Sequence, residues 1–263
     1  MIWIEMMGPS GVGKSYWYRY IKQEYPHITP EAVLSRRAPM DALHLGRRGK
    51  IKQKLDSYGI LPNRYLPGLH KEIARRTINR FGVVDQEVDD KLPIDLVGYL
   101  DVLWRHNSQA KDPIRRAKMI SFVLRRRLPR FIAVAILASE TDVICFEDGI
   151  VHNNGGISAE YTDNNHIPCC PDYVLYLTAD PAYVLNNRMT RLAKGRGTFV
   201  ERGLSESDLE KLCCDARARV EKKVGHLAQH GASVIRIDVE ADDNQVKDAI
   251  DTAFQDLIPG VAE

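Results

Sequence analysis

Apolar positions in this chain gather in short runs, and longer amphipathic stretches lie between them. Ile2-Trp3-Ile4-Glu5-Met6-Met7 is almost continuously apolar and reads as a strand covered on both faces. Thr141-Asp142-Val143-Ile144-Cys145-Phe146, Tyr173-Val174-Leu175-Tyr176-Leu177 and Ser233-Val234-Ile235-Arg236-Ile237-Asp238 have the same character. A fifth, weaker run, Ala32-Val33-Leu34, is expected to add a short strand. Helices are expected from Tyr16 to about Tyr25, stopped by Pro26 and Pro30, and from Pro181 with Asp180 as its cap. A long charged helix is expected from Ser205 to about His230, where Ser205 and Asp208 resemble a capping box, and a closing helix from Ala241 to Leu257. Strands alternating with helices predict an α/β fold, a parallel five-stranded sheet with helices on both faces. Ligands of such sheets bind at the carboxyl ends of the strands.

The stretch 40–138 departs from this alternation. It reads as several short helices punctuated by Gly59, Pro62, Pro67, Gly82, Pro93 and Pro113. It is too long for a simple crossover, so it is expected to be a helical insertion on the substrate side of one domain spanning 1–263. Lys111 to Arg130 within it carries eight basic residues and one acidic residue. Such a run is either a solvated helix face or a grip for an anionic partner.

The chemistry concentrates just after the first strand. Gly8-Pro9-Ser10-Gly11-Val12-Gly13-Lys14-Ser15 fits the spacing G-x-x-x-x-G-K-[ST], preceded by a strand and followed by a helix. The glycines let backbone N–H groups converge on one concavity, and the helix dipole adds partial positive charge there. Lys14 is placed for the β/γ-phosphates of a nucleotide and the Ser15 hydroxyl for Mg²⁺. The candidate nucleotide-binding residues are Gly8, Ser10, Gly11, Val12, Gly13, Lys14, Ser15 and Tyr16, with Arg188 reaching over from further along the chain.

Two further groups belong at the same end of the sheet. Glu147 and Asp148 leave the strand that ends at Phe146, where a carboxylate can hold Mg²⁺ through water or take a proton from an attacking hydroxyl. Extended backbone turns successive side chains to opposite sides, so only one of the two faces the phosphates. Arg188, Arg191, Lys194, Arg196 and Arg202, with Gly195 and Gly197 among them, form a candidate mobile lid that neutralises a transferring phosphoryl group.

The order of these parts resembles the P-loop kinases of the nucleoside and nucleotide kinase group, thymidylate kinase being the nearest type. The resemblance rests on Gly8 to Ser15, the strand ending in Glu147-Asp148-Gly149, Leu177-Thr178-Ala179-Asp180-Pro181 with Arg188 and Arg191, and the last strand before Asp238. It covers roughly the first 25 residues and those after 140, and not the insertion. It implies a P-loop kinase fold using ATP and Mg²⁺, with Lys14, Glu147, Asp148, Arg188 and Arg191 catalytic and with Ser15 and Glu147 at the metal. It further implies that Glu147 faces the metal and the attacking hydroxyl, that Asp148 orients the acceptor, and that adenine lies at Val239 to Asp243. Thymidylate kinases carry Asp-Arg after the third strand and deoxynucleoside kinases Glu-Arg-Ser. Glu147-Asp148-Gly149 has no arginine and looks more like the Asp-Glu-Gly turn of kinase-like proteins, some associated with bacterial surface-polysaccharide genes. That departure concerns the acceptor, not the donor.

The expected activity is therefore transfer of the γ-phosphoryl group of ATP to a hydroxyl or phosphate of a small-molecule acceptor, a nucleoside, nucleotide or sugar. A regulatory P-loop ATPase would not need the arginines after 188. A switch GTPase would need Asn-Lys-x-Asp, which the chain lacks, and a sulfotransferase loop generally lacks the Gly-Lys-Ser ending. A nucleic-acid end kinase would draw on Lys111 to Arg130, but Phe122 is the one aromatic there for stacking, and the net charge of +2 gives no general pull on a polyanion. With 44% hydrophobic and 27% charged residues the composition is that of an ordinary globular chain. The longest apolar run, Phe131 to Ala138, is too short to span a membrane, and no leader pattern precedes the glycine loop, so a cytoplasmic location is expected. The oligomeric state stays open, a homodimer included. Cys145, Cys169, Cys170, Cys213 and Cys214 are odd in number and mostly adjacent, which reads as free thiols; His152, His166, Cys169 and Cys170 match no zinc spacing.

Overall fold

A computed structural model describes residues 1–34, 92–109, 112–158, 162, 166–197 and 201–258. The described chain is an α/β structure built on a parallel sheet. Its strands are β1 (Ile2–Met7), β2 (Val143–Phe146), β3 (Tyr173–Thr178) and β4 (Ser233–Asp238), in the order β2-β1-β3-β4. The helices are α1 (Lys14–Glu24), α2 (Leu96–Ser108), α3 (Pro113–Phe122), α4 (Leu128–Leu137), α5 (Ile150–Asn153), α6 (Pro181–Ala193), α7 (Glu206–Gln229) and α8 (Asp243–Leu257). A π-helical segment, Val123–Arg127, joins α3 to α4.

Four strands stand among the described residues where five were expected. Ala32-Val33-Leu34 lies in a helical turn over residues 30–34, not in a strand. The reason is local. The Thr29 hydroxyl accepts from Ala32 N at 3.3 Å, and Pro30 supplies a first-turn φ, so the second proline starts a helix. Of the expected insertion 40–138, residues 40–91 lie outside the described part, and the remainder forms α2, α3, the π segment and α4.

Alternation along the strands builds two cores. Trp3 and Met7 of β1 and Val174 and Tyr176 of β3 pack on one face with α2, α4 and α7. Ile4, Met6, Leu175 and Leu177 pack on the other with α1 and α8. The apolar run expected too short for a membrane is α4, which lays Phe131 against Trp3 with ring centroids 4.5 Å apart. No described helix is long and apolar enough to cross a membrane.

Parallel pairing sets β1 beside β2 with Glu5 opposite Phe146, so the loops after both strands leave at the same edge. Glu5 is a fully buried carboxylate on the Trp3 face. It accepts from Val151 N at 3.3 Å and His152 N at 2.5 Å, which occupies two donors of the first turn of α5. Lys223 of α7, also buried, donates to the carbonyls of Val151 at 2.9 Å and Asn154 at 2.6 Å and so closes the other end of that helix. Gly149 lies so close beneath that a Cβ there would strike the Glu5 carboxylate.

This packing makes two glycines respond oppositely to the same change. Gly149→Ala is expected to cost on the order of 1–3 kcal/mol by overpacking. Gly225→Ala, on α7 with open space around it, should add roughly 0.5–1 kcal/mol through helix propensity. Chemical denaturation of both variants checks this, and equal effects would contradict the close approach at 149.

Candidate functional site

Gly11 and Gly13 adopt φ of 97° and 101°, a region L side chains rarely enter, and this folds 8–13 into a concave turn ahead of α1. The turn is closed by Val12 N to Pro9 O at 3.2 Å. α1 starts at Gly13 with no side-chain cap, so its N-terminal dipole and first-turn N–H groups are left to whatever enters the concavity. The Lys14 ammonium bonds the Gly8 carbonyl at 2.8 Å and holds the two ends of the loop together. Burial pulls this ammonium below its ordinary value, opposed by the Asp148 and Glu147 carboxylates.

The turn after β2 arrives at the same place. Ser15 Oγ donates to Glu147 Oε1 at 2.5 Å, across 132 positions of sequence. Asp148, in the bend just past β2, has other partners as well. Its carboxylate pairs with Arg127 of the π segment at 2.7 Å and lies 3.7 Å from His152 Nε2. Burial keeps the His152 imidazole well below its ordinary value, with Lys14 and Lys223 pushing the same way, so this ring is neutral near pH 7.

Arg188 and Arg191 are one turn apart on α6 and meet a residue the sequence reading passed over. Arg188 Nε donates to Ser10 O at 2.7 Å, and its Nη1 stands 3.6 Å from Glu201. Arg191 Nη2 bonds both Glu201 oxygens, at 2.8 and 3.0 Å. Arg188 and Glu201 are 3% and 2% exposed, so this is an interior brace against the glycine loop. A Cβ on Gly11 would come within 3.0 Å of Arg188 Cγ, which shows how tightly the brace sits. Lys194 and Arg196 are exposed, and Arg202 bonds the Gly197 carbonyl at 3.1 Å. Tyr16, also exposed, donates to Asp243 Oδ2 at 2.9 Å and places the 239–243 loop beside the start of α1.

Five residues of this cluster were not named beforehand as site residues: Glu5, Arg127, His152, Glu201 and Lys223. Glu5 had a signal, a single acid inside a buried strand. Arg127 lay in the basic run. Nothing local marks Glu201 or Lys223. The His152, His166, Cys169 and Cys170 group does not converge. His166 bonds Asp95 at 3.0 Å, Cys169 bridges to Ile94, and among the described residues no three potential metal ligands of the His, Cys, Asp and Glu type lie together. The five cysteines are free thiols.

A cleft of about 540 Å³ opens beside the loop, bounded by Gly8, Pro9 and Ser10 at one end and by α2, α3 and α7 along its sides. No protein-family model matches the chain, and no curated protein matches it.

Burial pushes the Glu5 carboxyl up to about 7 from an ordinary 4.5. The folded state therefore favours the neutral acid. The stability this group contributes is fully present below pH 4.5 and is lost as pH rises through 7, on the order of a few kcal/mol. Lys223, drawn down from 10.5 to about 8, acts in the separate window between those values, with stability lost as pH falls through it. Urea unfolding across the lower window should show a decline in the native protein that Glu5→Gln flattens. Parallel profiles for the two proteins would mean that Glu5 does not titrate there.

Proposed function

We propose that the protein is a P-loop phosphotransferase that uses ATP and Mg²⁺ to phosphorylate a small-molecule acceptor, in the cytoplasm. The observation that supports this most is the 2.5 Å contact between Ser15 and Glu147. A hydroxyl and a carboxylate brought together at a helix N-terminus are the oxygen donors that Mg²⁺ takes when phosphates and waters complete its shell. The turn with its three positive-φ glycines, Gly8, Gly11 and Gly13, would cradle a polyphosphate with its backbone N–H groups. Bound Mg-ATP would supply the phosphoryl group and part of the charge neutralisation.

The chain's own residues take distinct parts. Gly8 to Ser15 would hold the phosphates, and Lys14 would neutralise them once it leaves the Gly8 carbonyl. Ser15 and Glu147 would hold the metal, with Glu147 also within reach to take a proton from an incoming hydroxyl. Asp148, held by Arg127 of the insertion and beside His152, would orient the acceptor. Arg188 would act from a fixed position against Ser10, as a pre-oriented cation requires. The cleft beside the loop favours a kinase over a regulatory ATPase, which has no second substrate to house. Arg127 and Arg130 turn inward to Asp148 and Glu31, at 2.7 Å each, which lowers the charge left for a nucleic acid.

Two variants test the assignment. Lys14→Ala should keep the native melting profile and lose most phosphoryl transfer. Glu147→Gln should lower kcat by about 10²- to 10⁴-fold, with the affinity for a fluorescent ATP analogue in Mg²⁺ little changed. ADP release at wild-type rates in both would end this reading.

A further inference from the structure

The cleft beside the glycine loop has a charge pattern that the phosphate site does not use. Among the described residues its walls carry Arg188, Arg219, Lys222 and Lys223 with His106 and His152, against a single carboxylate, Glu201. That carboxylate is already engaged by Arg188 and Arg191. Lys223 is committed to the carbonyls of α5, and Arg188 to Ser10. Arg219 and Lys222 are exposed and form no ion pair among the described residues. Among the described residues, two cations without an ion pair thus line a cleft whose one acid is already matched.

The floor is apolar. Leu212, Ala216 and Val220 follow one another at helical spacing on the α7 face that lines the cleft, with Met119 of α3 opposite. At about 540 Å³ the cleft has the size of a small-molecule site. An apolar floor rimmed by unpaired cations selects a ligand with an apolar body and an anionic group. Flexible Lys and Arg side chains suit either a phosphate or a carboxylate.

We infer that this cleft is the acceptor site and that the acceptor is an organic anion. Its charged group is held by Arg219 and Lys222, and its body lies on Leu212, Ala216 and Val220. The acceptor role rests on the phosphotransferase reading; the anion site itself does not.

The probes are 1-naphthyl phosphate, 1-naphthoate and neutral 1-naphthol, each titrated by intrinsic fluorescence without nucleotide into the full chain, into R219E/K222E, into the milder R219Q/K222Q and into K14A. At least one anion is expected to bind tenfold or more tightly than naphthol, and the two anions distinguish phosphate from carboxylate. Charge reversal should weaken that binding by tenfold or more, the glutamine pair should weaken it less, and K14A should weaken it less than charge reversal does. Equal binding of naphthol, or anion binding that K14A abolishes and R219E/K222E leaves intact, overturns the inference. An ATP analogue titrated into the wild-type chain separates the two readings. If it fails to bind while the anion result holds, the acceptor role falls with the phosphotransferase reading and the anion site stands.

Discussion

The arrangement depends on one buried carboxylate. Glu5 sits in the middle of β1, two residues behind the end of the strand that feeds the glycine loop, and holds the first turn of α5 by two backbone N–H groups. That turn follows directly from Glu147 and Asp148. The strand that delivers the glycine loop is therefore tied to the segment that delivers the acids, with no linker long enough to let them drift. Lys223 of α7 fixes the opposite end of α5. Burying an acid and an ammonium is costly, and hydrophobic residues of similar volume would in general give a more stable core. What such a core could not do is satisfy both ends of a four-residue helix, too short to hold itself.

The second tie runs through Glu201. Arg188 would serve poorly as a cation for a ligand if it had to be ordered at the moment of binding. Its bond to Ser10 and its pairing with Glu201 order it beforehand, and Arg191 shares the same carboxylate. The arginines expected on a mobile lid are thereby divided. Arg188 belongs to the wall of the loop, while Lys194 and Arg196 remain on the exposed surface. A fixed inner cation beside free outer ones gives charge without reorganisation at the centre and leaves adaptable charge at the rim.

Within the cleft, the two sides have different origins. The loop side is formed by Gly8, Pro9 and Ser10. The far side is α7, whose face changes from Leu212 and Ala216 to Arg219 and Lys222 within about three turns.

The sequence alone determined the four strands, because β1, β2 and β3 are covered on both faces and are apolar at nearly every position. It determined the glycine loop, because only glycine reaches the φ values that such a turn demands. It also determined the caps of α6 and α7, where Asp180 and Ser205 bond the N–H groups two and three residues ahead. It misjudged residues 30–34, where a three-residue apolar run carries no periodicity and the Thr29-Pro30 cap decided for helix. Tertiary structure alone decided what Arg188 and Arg191 hold and why residue 149 is glycine. Each of those depends on a partner more than a hundred positions away or on another element, as with Glu5 and Gly149, or on a loop residue such as Glu201 that has no period to betray it. Local pattern encodes which face of an element is buried; only packing settles which charged side chains end within hydrogen-bond reach, because that is set by the register between strands and the seating of helices upon them.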